Sequence, residues 1–308
     1  MRAAFYTEYG SPDVLRVGEL PDPVTGPDGI LVRVAAAGVN HVDWKIRQGH
    51  LDGAFPSHFP IVPAWDAAGT VEAVGPAVTS FAVGDRVLGY VRKDDVQHGT
   101  SAEIVRAGER HLAPLPDEVS FEAGGALPLA GLTARQAIEA AGIGSGDTVL
   151  VHAAAGGVGA FAVQLARLRG ARVVGTAGES NAGFLRTLGA EPVTYGYGLV
   201  DRVRSLLDGT PVTAALDFVG GAAIADSFTL VQDASRVVSV TDGAAVLEGG
   251  GRYVFVRPDS SQLAWLARLV ADGSLHVEIA ATFDLADVTD ARRRSESGHG
   301  RGNVVVTV

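Results

Sequence analysis

From Thr148 onward the chain alternates short apolar runs with amphipathic ones, and the first apolar run opens directly into a glycine loop. Val149-Leu150-Val151-His152 is followed by Ala153-Ala154-Ala155-Gly156-Gly157-Val158-Gly159 and then by a helical stretch, Val158–Arg169. A strand, a tight glycine turn and a helix start in immediate succession are the context of a dinucleotide fingerprint. In G-x-G-x-x-G spacing the three positions fall on Ala154, Gly156 and Gly159. Gly156 lets the backbone approach a pyrophosphate lying on the helix N-terminus, and Gly159 permits close helix–strand packing. A plain tight turn is the bland alternative.

The same period continues downstream. Strands are expected at Thr148–Ala153, Arg172–Thr176, Pro192–Tyr195, Val212–Phe218, Ser235–Thr241 and Tyr253–Val256. Helices fall between them at Val158–Arg169, Asn181–Leu188, Leu199–Leu207 and Ala222–Gln232. Six strands with intervening helices make a complete doubly wound α/β sheet. Upstream the texture differs: apolar runs at Gly29–Ala37, Gly69–Val74 and Gly84–Val91, cut by Pro, Gly and Asp, read as an irregular β module. The change comes near Leu115-Pro116-Asp117, after which Phe121–Ala141 is rich in Ala and Leu with helical spacing. Beyond Pro258 a helix, Gln262–Asp272, precedes a strand-like tail, Asn303–Val308. The expected domains are 1–117 with 257–308, and 118–256.

Composition narrows the chemistry. A formal charge of −10 lacks the basic footprint that nucleic-acid binding needs. Zero cysteines exclude disulfides, thiolate catalysis and iron–sulfur clusters, so redox chemistry must be carried by something bound. No apolar stretch is long enough to span a bilayer, and the N-terminus lacks a signal-peptide pattern, so a cytoplasmic location is expected. The end of the second strand bears on cofactor choice. An NAD site places a carboxylate there, whereas Val174-Gly175-Thr176-Ala177-Gly178 is small and neutral, with Thr176, Ser180 and Asn181 as donors. NADP(H) is therefore expected. Glu179 sits late and argues the other way, and Ser180 or Asn181 can equally be a helix N-cap.

Several further segments carry a resemblance: Ala36-Ala37-Gly38-Val39-Asn40-His41-Val42-Asp43-Trp44-Lys45-Ile46-Arg47-Gln48-Gly49, Gly84-Asp85-Arg86-Val87, Leu127–Ala137, the Ala-Ala-Gly-Gly-Val-Gly loop, Leu188-Gly189-Ala190, Leu216-Asp217-Phe218-Val219-Gly220-Gly221 and Gly298-His299-Gly300-Arg301-Gly302. Together these resemble the medium-chain dehydrogenase/reductase superfamily, and within it the zinc-independent quinone oxidoreductase branch that includes zeta-crystallin. The resemblance covers nearly the whole chain. It implies a GroES-like β-rich catalytic domain with a Rossmann domain inserted before its last segment. It also implies a homodimer, NADPH as cofactor, and a quinone or enone as the small-molecule substrate.

Zinc enzymes of the superfamily carry cysteine where this chain has Asn40 and a His-Glu pair where it has Trp65-Asp66. Neither substitution builds an N/S zinc site. Metal-free hydride transfer to a quinone or enone then needs donors for the oxygen that gains charge and a route for one proton. The resemblance places Asn40–Arg47 beside the nicotinamide. Asn40 and Lys45 are candidate donors there, Asp43 a partner that orients Lys45 or joins a relay, and His41 a proton carrier. Asn40-x-x-Asp43 is also an acceptable helix-capping pair, with Lys45 simply solvated. Trp44 and Trp65 suit the wall of a quinone pocket, and suit core packing as well. Thr133 resembles the family's nicotinamide-side threonine and can equally serve its own helix, while Phe255, Val256 and Asn303 fall where the family closes on its cofactor, with Asn303 replacing a lysine. Together with Ala154, Gly156, Gly157, Val158, Gly159, Thr176, Ser180 and Asn181 they complete the expected cofactor set. Arg292-Arg293-Arg294 reads as a solvated helix face. Two other readings remain: an enoyl-thioester or pathway-specific enone reductase of polyketide-type biosynthesis, and a non-catalytic NADPH-binding protein.

Overall fold

The computed structural model describes residues 1–298 and 300–308; His299 of the Gly298–Gly302 motif lies outside the described residues. The chain forms two compact units, one of Met1–Leu129 with Pro258–Val308 and one of Ala130–Arg257.

The second unit holds a six-stranded parallel sheet. Across it run Glu191–Thr194, Arg172–Ala177, Thr148–Val151, Ala214–Asp217, Val237–Ser239 and Arg252–Tyr253. Numbered along the chain this is the order 3-2-1-4-5-6 of a Rossmann sheet, with the reversal beside Thr148–Val151. The helix Gly157–Leu168 is buried continuously from Gly159 to Ala166, whereas Leu199–Leu207 buries a single apolar stripe. Leu199, Val203 and Leu207 lie at helical spacing and pack with Leu150, Val174, Ala215 and Val237 in one core. Between the last two strands a short helix, Gly243–Glu248, is capped by Asp242 accepting the Ala245 N–H. That helix was not anticipated from the sequence, and the sixth strand is shorter than expected.

The first unit is built on a mixed sheet. Ile279–Asp284, Asn303–Thr307, Ile30–Val39, Asp66–Val74, Arg86–Tyr90 and Leu112–Pro114 follow one another across it. The C-terminal strand thus closes against Ile30–Val39, with Val304 opposite Val39. Alternating Ile30, Val32 and Val34 point into a core with Val71, Val87 and Val105.

Helical composition begins well before this unit ends. The stretch Phe121–Ala141 is two helices, Phe121–Ala126 and Pro128–Ala140, because proline has no N–H to continue the first and is suited to start the second. The first of them lies on the β-rich unit. A Cβ on Gly124 would stand 2.9 Å from the Ala68 methyl, and one on Gly125 3.0 Å from the Ala36 carbonyl, so only glycine allows that approach.

Candidate functional site

The glycine loop is fastened from beneath. His152, 1% exposed, follows the strand Thr148–Val151, with Nε2 3.0 Å from Ser227 Oγ and Nδ1 3.4 Å from Thr176 Oγ1. Ala153 takes the left-handed conformation at φ 52°. Its N–H donates to the Thr176 hydroxyl (3.3 Å), and the Ala154 N–H donates to the Thr176 carbonyl (2.9 Å). Thr176, expected as a donor to cofactor phosphate, is therefore committed to the turn. Parallel pairing carries its side chain under the loop, where it is 2% exposed.

Each fingerprint position has its own physical reason. Ala154 is fully buried, and opposite it stands Gly175, where a Cβ would come within 2.9 Å of the Ala154 methyl. The alanine is thus tolerated because the neighbouring strand supplies the glycine. At Gly159 a Cβ would meet the Ala153 carbonyl oxygen at 2.2 Å and Ala154 Cα at 2.7 Å, which is the close helix–strand approach. At Gly156 the nearest such atom is Ala153 O at 3.3 Å, so the space above that residue is open. Gly156 is also the N-cap of Gly157–Leu168 and has no side chain to satisfy the first N–H groups. An open, uncapped helix start on a closely packed helix fits a pyrophosphate.

At the end of the neighbouring strand, Glu179–Asn181 form a single turn, with Glu179 and Ser180 exposed. Asn181 makes no side-chain capping bond to the helix that follows. Tyr195, which sequence reasoning passed over, stands beside this turn: a Cβ on Gly178 would lie 4.0 Å from its ring, and the residue is 65% exposed. Its signal is its place one residue past the adjacent parallel strand. Asp217 was also overlooked as a loop builder. One carboxylate oxygen accepts the N–H groups of Val219 (3.0 Å) and Gly220 (2.9 Å), the other the hydroxyls of Ser239 (2.7 Å) and Thr241 (3.1 Å). Four donors offset the burial of that charge and fix the Asp217–Gly221 turn. Phe255 is exposed and Val256 almost buried after the last strand, and Thr133 is buried in its helix.

In the first unit, Asn40 caps the helix His41–Arg47 at the end of Ile30–Val39. The expected capping box is half made: the Asn40 backbone N–H donates to Asp43 (2.8 Å), but the Asn40 amide donates instead to Asp66 Oδ2 (2.8 Å). Gly38 permits this, since a Cβ there would lie 3.1 Å from Asp66 Oδ2 and 2.5 Å from the Gly125 carbonyl. Burial pushes the Asp66 carboxyl well above the usual carboxylate range, against the pull of Asn40 and the Leu129 N–H.

Asp43 does not orient Lys45. It is buried and paired with Arg292, whose second nitrogen donates to Ser101 Oγ (3.0 Å). Arg292 is 2% exposed, which corrects the reading of Arg292–Arg294 as wholly solvated. One helical turn on, buried Arg47 donates to Glu296 (2.6 Å) and to the Gly10 carbonyl (3.0 Å). Two ion pairs thus clamp the helix after Asn40 to the helix Val288–Glu296.

The outer face of that helix carries His41 and Lys45, four residues apart. Partial desolvation and then the Lys45 ammonium lower the His41 imidazole below its ordinary value, so it is neutral at pH 7. Lys45 Nζ lies 5.9 Å from the Trp44 ring centre, and Trp44 meets His50 edge-on. Trp65 is 6% exposed, packed between Phe55 and Tyr90 at 6.2 Å from each ring centre. Asn303 is held by the Glu278 carbonyl, which accepts its backbone N–H at 2.8 Å and its amide at 3.3 Å.

A zinc ion does not fit these residues. Trp65 has no donor pair to offer, Asn40 turns its amide nitrogen to Asp66, and both Asp66 oxygens already accept N–H groups.

Comparison with known proteins shows what the whole chain is similar to. Residues 26–117 match the family described as alcohol dehydrogenase GroES-like domain, and residues 188–306 match that described as zinc-binding dehydrogenase. A chloroplast envelope quinone oxidoreductase homolog of Arabidopsis thaliana is 30% identical over 99% of this chain and 98% of that protein. An NADPH-dependent alkenal/one oxidoreductase, also from Arabidopsis thaliana, is 31% identical over 99% of this chain and 79% of that protein. Among solved structures, the quinone oxidoreductase from Coxiella burnetii superposes with a TM-score of 0.90 at 32% identity, covering 100% of this chain and 99% of that one.

Proposed function

Because the chain belongs to the medium-chain dehydrogenase/reductase family, within its quinone oxidoreductase branch, we propose that it is an NADPH-dependent reductase of quinones or activated alkenes. The observation that carries the cofactor half of this reading is the open, uncapped helix start at Gly156. Bound NADPH supplies a hydride to the carbon of the acceptor, whose conjugated oxygen then takes up the displaced electron pair and one proton.

The chain's own residues supply the rest. The backbone N–H groups at Gly157, Val158 and Gly159 hold the pyrophosphate, with Ala154 and Thr176 keeping the turn in shape. Ser180 and Asn181, with Tyr195, offer neutral donors to the ribose phosphate, and the absence of a carboxylate on Thr176–Gly178 disfavours an unphosphorylated ribose. Phe255 and Val256 give an apolar edge to the cofactor-binding unit. In the β-rich unit, Asn40 and Lys45 stabilise the charge that develops on the acceptor oxygen. His41, neutral at pH 7, passes a proton rather than storing one. Asp43 acts through the backbone, holding the Asn40 N–H while Arg292 neutralises it.

The test is a stopped-flow scan of NADPH oxidation against simple quinones, alkenals and acyl-thioester enones, repeated with NADH. Turnover of quinones or alkenals with NADPH preferred is expected. Preference for acyl thioesters would redirect the reading to an enoyl-thioester reductase. Tight NADPH binding with no turnover of any acceptor would defeat it.

A further inference from the structure

We propose that Asp66 is a positioning residue that fixes which way the Asn40 amide faces, and with it the donor that Asn40 turns toward the acceptor oxygen. The proposal rests on the reductase reading above. Asp66 begins the strand Asp66–Val74 and lies opposite Gly38 across the antiparallel pair, two residues before Asn40. It is 0% exposed. Its two carboxyl oxygens are divided between two N–H donors: Oδ1 accepts the Leu129 backbone N–H at 2.9 Å, and Oδ2 accepts the Asn40 Nδ2–H at 2.8 Å. No cation pairs with it among the described residues, so its burial is offset in part by these two N–H donors rather than by an ion pair.

In this arrangement each carboxyl oxygen accepts one N–H, and the two bonds oppose the upward push of burial on the group. An amide at the same position would have to turn its own NH2 against one of the two donors. The Leu129 N–H belongs to the main chain and cannot be inverted, so the Asn40 amide would turn over instead. In the native arrangement Nδ2 lies toward Asp66, Oδ1 lies away, and one Nδ2–H remains to donate. Turning the amide over puts an acceptor where that second N–H was, facing an oxygen that gains negative charge. Asn40 is only half-buried and its side chain does not cap its own helix, so its orientation depends on Asp66.

Only three asparagines are present, Asn40, Asn181 and Asn303, so 15N-asparagine labelling of the full chain gives three side-chain NH2 pairs, assignable by Asn40→Ala. In the unmutated protein one Asn40 amide proton is expected to exchange slowly and its geminal partner fast. Equally fast exchange of both overturns the proposal, and needs no variant that folds poorly. In steady-state assays Asp66→Asn is expected to lower kcat about tenfold or more with KM within about threefold. The double variant Asp66→Asn/Asn40→Ala should be no slower than Asn40→Ala alone. Full kcat in Asp66→Asn, or losses that multiply in the double variant, would refute the positioning role. Full kcat in Asn40→Ala would instead remove Asn40 from the reaction, a failure of the underlying reading that the exchange data identify separately.

Discussion

Gly156 and Gly159 are three residues apart in one turn, yet alanine at each should fail for a different reason. In Gly159→Ala the new methyl meets a backbone carbonyl oxygen at 2.2 Å and an α-carbon at 2.7 Å. Ordinary contact begins near 3.4 Å, so roughly 1 Å of separation must be found between helix Gly157–Leu168 and the loop beneath it. Neither partner is a flexible side chain. Overpacking of this kind costs about 1–3 kcal/mol, and a clash with backbone belongs at the upper end. The gain in helix propensity from Gly to Ala returns up to about 1 kcal/mol. The net is a destabilisation of about 2 kcal/mol, or roughly 4–8 °C in Tm. In Gly156→Ala the nearest atom is 3.3 Å away and the backbone, at φ −73° and ψ 174°, is extended and open to any residue. Its Tm should move by less than about 2 °C, while its methyl occupies the approach path of the pyrophosphate and weakens NADPH binding about tenfold or more. Differential scanning fluorimetry and NADPH fluorescence titration read the two effects separately. If Gly156→Ala binds NADPH as the native chain does, the cradle is not where the cofactor lies; if Gly159→Ala is as stable as the native chain, the close-approach argument is wrong.

Other perturbations follow from the same geometry. Arg292→Met leaves Asp43 buried without its cation and should cost about 3–5 kcal/mol in urea unfolding, with Asp43→Asn in the same chain restoring part of it; a loss under about 0.5 kcal/mol would show the pair to be dispensable. Arg236 holds Asp147 through two bonds of 2.8 and 2.9 Å, which keeps that carboxylate well below its usual range. A depressed carboxylate contributes stability above its unfolded value near pH 4 and loses it as pH falls toward the folded one. Arg236→Met should therefore cost about 2 kcal/mol at pH 7 and progressively less below pH 4, and a pH-independent gap would contradict the assignment. Lys45→Ala removes a half-buried side chain on the outer helix face, so Tm should hold while kcat/KM falls on the order of a hundredfold; unchanged turnover and NADPH affinity would remove Lys45 from the reaction.

Local sequence was sufficient for the parts of this protein whose causes are local. The strand, glycine turn and helix around Gly156 were legible because each step depends on neighbours a few residues away, and the βα alternation announced the parallel sheet. The early appearance of helical composition near residue 117 was legible too, but not which unit that helix would join; that depended on Gly124 and Gly125 meeting Ala68 and Ala36. The same limit applies to the side chains of the site. From sequence Thr176 reads as a donor to the cofactor phosphate, Asn40 as a donor beside the nicotinamide, and Asp43 as a partner that orients Lys45 or joins a relay. Only strand pairing could show that Thr176 lies under the loop, and only packing against Val288–Glu296 that Asp43 belongs to Arg292 across 249 positions of chain. Sequence pattern settles what a residue is able to donate or accept. Which partner takes it up is decided by burial, since a polar group removed from water must take the nearest complementary one, and that neighbour is set by the tertiary fold.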